Sequence, residues 1–136
     1  MDSPLFDVIA LPALLDNYIW TIINSEASFC VVVDPGEATP VTRFLQQRNC
    51  QLAGIMITHH HFDHTGGVAE LVSQYPNVPV FGPALEAVDG MTILLDDGDE
   101  VIIPSMNLHF TAMHIPGHTL GHIALYGHGL VFSGDT

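Results

Sequence analysis

The sequence predicts an α/β sandwich in which helices cover a mixed β-sheet. Three observations lead to this class. The first third of the chain holds short β-branched and aromatic runs separated by turn residues, as in an antiparallel meander. Strand patterns then alternate with helix patterns, and the last third carries strand patterns alone. We place one domain over residues 1–136, because this length supports a single hydrophobic core.

The meander is predicted from three runs, Phe6–Ala10, Tyr18–Ile23 and Phe29–Val33. Within the second run, Tyr18 and Trp20 fall on the same side of the strand because side chains alternate. Large aromatic side chains in such positions belong more often to a core than to a substrate site. We therefore expect both to be core residues.

A first helix is predicted from Pro40 to about Arg48. Thr39 is a suitable N-cap, and Pro40 a suitable first helical residue. Three apolar residues share one face of this helix: Val41, Phe44 and Leu45. That face is expected to pack on the sheet.

The continuous apolar run Leu52–Thr58 predicts a strand that is buried on both faces. A second helix pattern begins at Val68 and must stop at Pro76. The remaining predicted strands are Val78–Phe81, Val101–Ile103, Asn107–Ile115, His122–Tyr126 and Leu130–Ser133. The alternation of strands and helices in this region is what favours the α/β class.

The composition excludes several classes of function. Apolar residues make up 48% of the chain and charged residues 12%, which is typical of a folded domain and not of a disordered segment. The formal net charge is −13, with Arg43 and Arg48 as the only basic residues, so no basic surface is available for nucleic acid.

The cellular compartment is also predicted from composition. The N-terminus is acidic where a secretory signal would be basic, and no apolar run is long enough to span a membrane. Cys30 lies in an apolar strand pattern and Cys50 follows a helix pattern, so we expect two reduced thiols, one of them in the core. A cytoplasmic protein is the prediction.

The segment "THHHFDHTGG" carries the clearest chemical signal. In an extended backbone His59 and His61 lie on one side and His60 on the other, so the first two form a chelating pair. Asp63 and His64 follow where the chain must turn into the next helix, and they can bind a second cation in the same cavity. Imidazole and carboxylate ligands suit zinc or a similar cation.

Two further polar positions follow strands. His118 lies in a Pro-Gly turn after the strand that ends near Ile115, and Asp135 comes directly after the last strand. Either would be weak evidence alone, because such turns are common. Together with the histidine segment they place polar residues at three strand ends, where ligands of sheet proteins gather. A histidine tag is a poor alternative, because a tag would be terminal.

These motifs resemble the metallo-β-lactamase superfamily. "THHHFDH" fits its pattern Thr-His-x-His-x-Asp-His, and "PGHTLGH", "GDT", "DNYIW" and "VVVDPGE" are similar to its glyoxalase II branch, the hydroxyacylglutathione hydrolases. The resemblance implies an αββα sandwich with two Zn²⁺ ions, or iron or manganese in their place. It also implies hydrolysis of glutathione thioesters, such as S-lactoylglutathione to glutathione and D-lactate, with Asp63 as the catalytic residue.

The resemblance assigns a metal ligand set. It places His59, His61 and His118 on the first ion, Asp63 and His64 on the second, and Asp135 between the two. For His60 and His122 it leaves two interpretations open, a role behind the ligands or a purely structural one.

The chain also departs from the family. Members of the branch continue beyond Gly-Asp-Thr through the second half of the sandwich, which supplies one more histidine and a helical region that binds glutathione. An anionic glutathione conjugate needs cations, and only Arg43 and Arg48 are present. We therefore predict an N-terminal portion of such a hydrolase, the first half of the sandwich, with low stability alone or self-association through the exposed sheet.

Two alternatives to the hydrolase stay open. The first is a metal-binding fragment without catalysis of its own. The second is a sister enzyme of the superfamily, such as a persulfide dioxygenase. The dioxygenase would use one iron, so the number of metal ions per chain separates it from the hydrolase.

Overall fold

Two β-sheets pack face to face, and helices cover the outer face of one of them. The computed structural model describes residues 6–14, 17–24, 28–59, 61–86, 88–116 and 121–133, and it places the side chains of all these residues except Phe62 and Asp63. Within this part of the chain no helix is long and apolar enough to cross a membrane. The α/β sandwich predicted from the sequence is confirmed.

The first sheet has six strands in the order β1-β2-β3-β4-β5-β6. They are β1 (Phe6–Ala13), β2 (Asn17–Asn24), β3 (Phe29–Val33), β4 (Gln51–Met56), β5 (Val80–Pro83) and β6 (Ile93–Leu95). The first three strands pair antiparallel, which confirms the predicted meander, and β3 to β6 pair parallel. Strand β6 has only three residues, too few for its pattern to be recognised in the sequence.

Helix α1 (Thr39–Arg48) follows β3 and buries Val41, Phe44 and Leu45, as the sequence predicts. The predicted N-cap is wrong by one residue: Ala38 occupies that position, and Thr39 already belongs to the helix. The Thr39 side chain is therefore not the cap, and no side chain provides a capping hydrogen bond. Such a one-residue offset is common at helix ends.

Two short helices follow β4. Helix α2 (Phe62–Thr65) is a single turn within the histidine segment, and the sequence did not predict it. Helix α3 (Val68–Gln74) ends two residues before Pro76, as expected from the proline. Between them, Gly67 approaches the backbone of Glu37 so closely that an added Cβ would lie 2.5 Å from its carbonyl carbon. Glycine at this position lets α3 pack against the loop after β3.

The second sheet has four antiparallel strands in the order β10-β9-β8-β7. They are β7 (Glu100–Ile103), β8 (Leu108–His114), β9 (Ile123–Gly127) and β10 (Leu130–Phe132), with a 3₁₀ turn, Pro104–Met106, between β7 and β8. All four were predicted to within one residue at each end. A turn at His128 and Gly129, both with positive φ, joins β9 to β10.

Two hydrophobic cores result. The first lies between the six-stranded sheet and helices α1 and α3, and includes Ile19, Val41, Ile55 and Leu71. The second lies between the sheets and includes buried residues of both, such as Val31 and Phe110. The central strands β3 and β4 are therefore covered on both faces.

Other surfaces are left open among the described residues. Apolar side chains on the outer face of the four-stranded sheet are exposed: Ile102, Met113, Tyr126 and Val131. The layers seen are therefore helix, sheet and sheet, which are three of the four in an αββα sandwich.

The expected core position of Tyr18 and Trp20 is wrong, because 55% of Tyr18 and 43% of Trp20 are exposed. Both lie on the inner face of the six-stranded sheet, like the buried Ile22. The second sheet is two strands narrower, and a cavity lined by both side chains and by residues of its edge strand β10 lies at this place.

The two cysteines are reduced, as predicted, and Cys30 is fully buried. Burial raises the pKa of the Cys30 thiol from 9.0 to about 12, and the nearby Cys50 adds to the effect. Cys30 is therefore a protonated core residue at neutral pH.

Candidate metal centre

The candidate site lies where β3 and β4 end. These neighbouring strands are parallel, so their carboxyl ends meet at the same edge of the sheet. Asp34 follows β3 directly, in the left-handed region of backbone conformation with φ 52°. Thr58 and His59 follow β4 by two and three residues, and both are fully buried.

Asp34 binds two segments through its carboxylate. Its Oδ1 accepts the backbone N–H of Thr58 at 2.8 Å, and its Oδ2 accepts the hydroxyl of Thr58 at 2.7 Å. The same Oδ2 lies 3.1 Å from Nδ1 of His64. Only 5% of Asp34 is exposed, so these contacts form away from water, where hydrogen bonds to a charged group are strong.

These contacts determine the tautomers of two histidines. An ionised carboxylate only accepts hydrogen bonds, so His64 carries its proton on Nδ1. The hydroxyl of Thr58 gives its one proton to Asp34, so Nδ1 of His59, 3.0 Å from that oxygen, must also be the donor. The lone pair of each ring is therefore on Nε2, the nitrogen that would bind a metal.

Three imidazole rings meet at this point. The centroid of the His59 ring lies 5.0 Å from that of His61 and 4.3 Å from that of His64. One ligand atom each from His59, His64 and Asp34 lies within 4.8 Å of the others, a separation that fits a metal ion. Because both Asp34 oxygens are engaged by Thr58 and His64, we assign Asp34 the task of orienting the imidazoles and not of binding metal.

The predicted ligands can be located only in part. The structure brings His59, His61 and His64 together, as their spacing predicts. Asp63 lies in helix α2, with its side chain outside the described part. Three further positions named from the sequence, His60, His118 and Asp135, lie outside the described residues.

Sequence reasoning missed Asp34 as a functional residue. It noted "VVVDPGE" only as part of a resemblance, although Asp34 follows a strand pattern in the sequence just as Asp135 does. The same strand-end rule applied to Asp34 would have found it.

Glu86 is a second residue that the sequence did not single out. It is 93% buried, since its exposed fraction is 7%, and its Oε2 accepts the backbone N–H of Gly121 at 3.0 Å. An added Cβ on Gly121 would come within 2.9 Å of Leu85 Cβ, so the two segments touch. Glu86 thereby anchors Gly121, three residues after His118 in the sequence.

A cavity of about 260 Å³ opens beside the site. Asp34, His64 and Ser133 form its polar end, and aromatic residues Tyr18 and Trp20 line its wall. The basic residues are elsewhere: Arg43 and Arg48 are both on α1, and the Arg48 guanidinium lies over the Phe44 ring at 5.2 Å. The described part of this cavity therefore lacks a cation for an anionic ligand.

The fold and the site define the class of protein. The family described as "Metallo-beta-lactamase superfamily" matches residues 18–136. This match covers most of the chain, and the chain belongs to that superfamily.

Within this superfamily, the chain is similar to curated proteins of one name. A protein named hydroxyacylglutathione hydrolase from Nitrosomonas eutropha is 47% identical over 132 residues, which are 97% of this chain and 51% of that protein. One of the same name from Photobacterium profundum is 50% identical over 127 residues, 93% of this chain and 49% of the relative. The chain thus spans about half the length of the curated relatives it matches.

Solved structures share the fold. The BLEG-1 B3 metallo-beta-lactamase superposes with a TM-score of 0.80 at 23% identity, covering 95% of this chain and 72% of that one. TTHA1623 in a di-iron-bound form superposes with a TM-score of 0.70 at 26% identity. The match covers 95% of this chain and 71% of TTHA1623.

Proposed function

We propose that this chain forms the metal-binding portion of a hydroxyacylglutathione hydrolase, a thioesterase acting on glutathione thioesters such as S-lactoylglutathione. The observation that carries the proposal is the orientation of His59 and His64, whose Nδ1 atoms are both committed to the Asp34–Thr58 pair. Relatives of the same name at 47% and 50% identity support the substrate class. Because they are about twice as long, the N-terminal position of this chain in the whole enzyme is part of the proposal.

In this proposal the ligands are those implied by the resemblance: His59, His61, His118, Asp63, His64 and Asp135. Bound Zn²⁺ ions would lower the pKa of a water molecule and polarise the thioester carbonyl. Asp34 and Thr58 keep two imidazoles in the tautomer that binds metal. Asp63 would bind the second ion and orient the attacking water. The products would be glutathione and a 2-hydroxy acid such as D-lactate.

Zinc is one of several metals that this donor set accepts, and we propose it as the resident ion. The di-iron form of TTHA1623 favours iron as the alternative. Both metals suit imidazole and carboxylate ligands, so metal analysis of the purified chain decides between them. A cytoplasmic location likewise stays a prediction.

Asp63→Ala tests the metal centre. We expect two metal ions per wild-type chain, and the loss of at least one in the variant because a carboxylate ligand is removed. The measurement is metal content by mass spectrometry, together with hydrolysis of S-lactoylglutathione. Asp89→Ala is the matched control, because Asp89 is an exposed aspartate outside the site. A wild-type chain with no bound metal, or an Asp63→Ala chain with unchanged content, would contradict the proposal.

A second candidate is a metal-binding fragment without catalysis. It is favoured by the position of Arg43 and Arg48 on α1 and by the coverage of only about half of each relative. Two bound metals with no thioester hydrolysis would identify this fragment. Two metals with turnover would identify the hydrolase, and a single iron would favour a persulfide dioxygenase.

We also propose that the chain self-associates through the outer face of its four-stranded sheet. Ile102, Met113, Tyr126 and Val131 are 42–64% exposed there. Among the described strands, β10 pairs with β9 alone, so one of its edges faces outward. An exposed apolar face and an unpaired strand edge both favour association, and a second copy of the chain is the occupant we propose.

A further inference from the structure

His122 lies at the centre of contacts that the proposed function does not use. It precedes β9 directly, and its exposed fraction is 0%. The sequence left two interpretations open for it, a role behind the metal ligands or a purely structural one. Its contacts in the structure separate the two.

The ring of His122 stacks on the ring of His59. The two centroids are 4.6 Å apart and the ring planes differ by 23°. Stacked aromatic rings at this separation attract each other and so favour one relative orientation. His122 therefore limits the orientation of a predicted ligand of the first metal.

The same ring binds the end of β10. Nε2 of His122 lies 2.6 Å from the carbonyl oxygen of Ser133. A carbonyl oxygen only accepts, so His122 carries a proton on Nε2 and donates it. Ser133 is two residues before the predicted bridging ligand Asp135. This hydrogen bond thus holds the strand end from which Asp135 follows.

The backbone at His122 connects two more strand ends. Its carbonyl oxygen accepts the N–H of Ile115 at 2.8 Å, three residues before His118 in the sequence. The N–H of the next residue, Ile123, donates to the carbonyl of Thr58 at 2.9 Å. Residues 122 and 123 therefore bind, through backbone or side chain, three segments that carry predicted ligands.

We propose that His122 is a positioning residue that holds the His59 ring and the strand end before Asp135 in the arrangement that metal binding requires. The proposal rests on the proposed metal centre. Residues that orient metal ligands typically contribute 10–100-fold to metal affinity, whereas a residue that only fills space contributes to folding alone.

Two substitutions separate the contributions of His122. His122→Phe keeps a flat ring against His59 and removes the N–H donor. His122→Gln keeps an N–H donor at a similar reach and removes the ring. Zinc affinity of the 136-residue chain, measured by competition with a chromophoric chelator, is expected to fall by about 10–100-fold in His122→Phe. We expect zinc affinity to fall in His122→Gln as well, because the ring that stacks on His59 is lost although the N–H donor is kept.

The matched control is His128→Phe. His128 is exposed, contacts the rings of Phe6 and Phe110, and accepts the N–H of His109 at 3.0 Å, away from the ligand segments. Its substitution should leave zinc affinity unchanged. A purely structural His122 would lower the unfolding temperature of the metal-free chain without altering the zinc affinity of the folded chain.

The outcomes are distinct. A wild-type chain that binds no zinc would overturn the metal centre, and this inference with it. Wild-type binding with equal affinity in His122→Phe would overturn the inference alone. If His122→Phe does not fold, nitrogen-15 NMR of the wild type decides: we expect the Nε2–H tautomer at His122 and a shift of its signals on zinc addition. The Nδ1–H tautomer, or signals that zinc does not move, would overturn the inference.

Discussion

The outer faces of the two sheets differ in a way that their side chains do not explain. On the six-stranded sheet, outward residues such as Ile19 and Ile55 are fully buried under α1 and α3. On the four-stranded sheet, Ile102 and Val131 also point outward, and they are 56% and 64% exposed. Both faces are apolar, so the difference lies in whether another element covers them.

The pattern of apolar residues in a strand predicts which face can be buried, but not whether it is. Alternating apolar residues show that a strand has a face suited to burial, but the covering element comes from elsewhere in the chain or from a partner. The residues of the candidate metal site come shortly after β3 and β4, two strands of the covered six-stranded sheet. The exposed apolar side chains include those of the other sheet, Trp20 on the inner face, and Ile93 and Leu94 on the edge strand β6.

The largest change in the free energy of unfolding is expected from truncating a buried side chain on the covered face. Ile55→Ala should lower the free energy of unfolding by about 2–5 kcal/mol, because Ile55 is fully buried and its side chain leaves a cavity. Ile102→Ala, on the open face, should change it by less than about 0.5 kcal/mol in the dissociated chain, so unfolding is measured at low protein concentration. Urea unfolding of both variants checks the pair. Similar losses would show that the four-stranded sheet is covered in solution.

Asp34 and Asp97 allow the same comparison for hydrogen bonds. Each accepts a backbone N–H at 2.8 Å, Asp34 in a buried position and Asp97 in an exposed one. Asp34→Ala should cost about 3 kcal/mol, because buried donors of Thr58 and His64 lose their acceptor. Asp97→Ala should cost less than about 1 kcal/mol, since water replaces the carboxylate. Thermal unfolding is the measurement, and equal costs would contradict the assigned burial.

Cys30 makes the covered sheet sensitive to high pH. The pKa of this thiol is raised from 9.0 to about 12, first by burial and then by Cys50. The unfolded chain loses the proton near pH 9 and the folded chain retains it, so stability is complete below pH 9 and falls as pH rises toward 12. At pH 10 the loss is about 1.4 kcal/mol relative to pH 8. Cys30→Ala should lack this component in urea unfolding at the two pH values, and an unchanged slope would refute it.

The smallest effect on stability is expected from Val131→Asp on the open face. Val131 is 64% exposed, so unfolding free energy should change by less than about 0.5 kcal/mol. Self-association should be lost, because the new charge would be buried between two copies that are already acidic. Light scattering after size-exclusion chromatography measures the mass. Ser73→Asp, an added charge at an exposed position of α3, is the control that should still associate. A monomeric wild type would rule out this interface.

Much of the fold follows from local patterns. Strand bounds in the four-stranded sheet, the apolar face of α1 and the end of α3 before Pro76 were predicted correctly. These features depend on neighbours a few residues apart, which the sequence shows directly. The single turn α2 and the three-residue strand β6 were missed, because their patterns are too short to detect.

The sequence by itself predicted that His59 and His61 form a pair and that His64 faces the same cavity, and the three rings do lie close together. Only the tertiary structure decided the surroundings of these rings. Asp34 reaches His64 across 30 residues, and His122 stacks on His59 from the other sheet. It also decided that Trp20 is exposed, since that depends on which distant elements pack against the inner face of β2. Contacts between distant segments arise from packing, which no local pattern encodes.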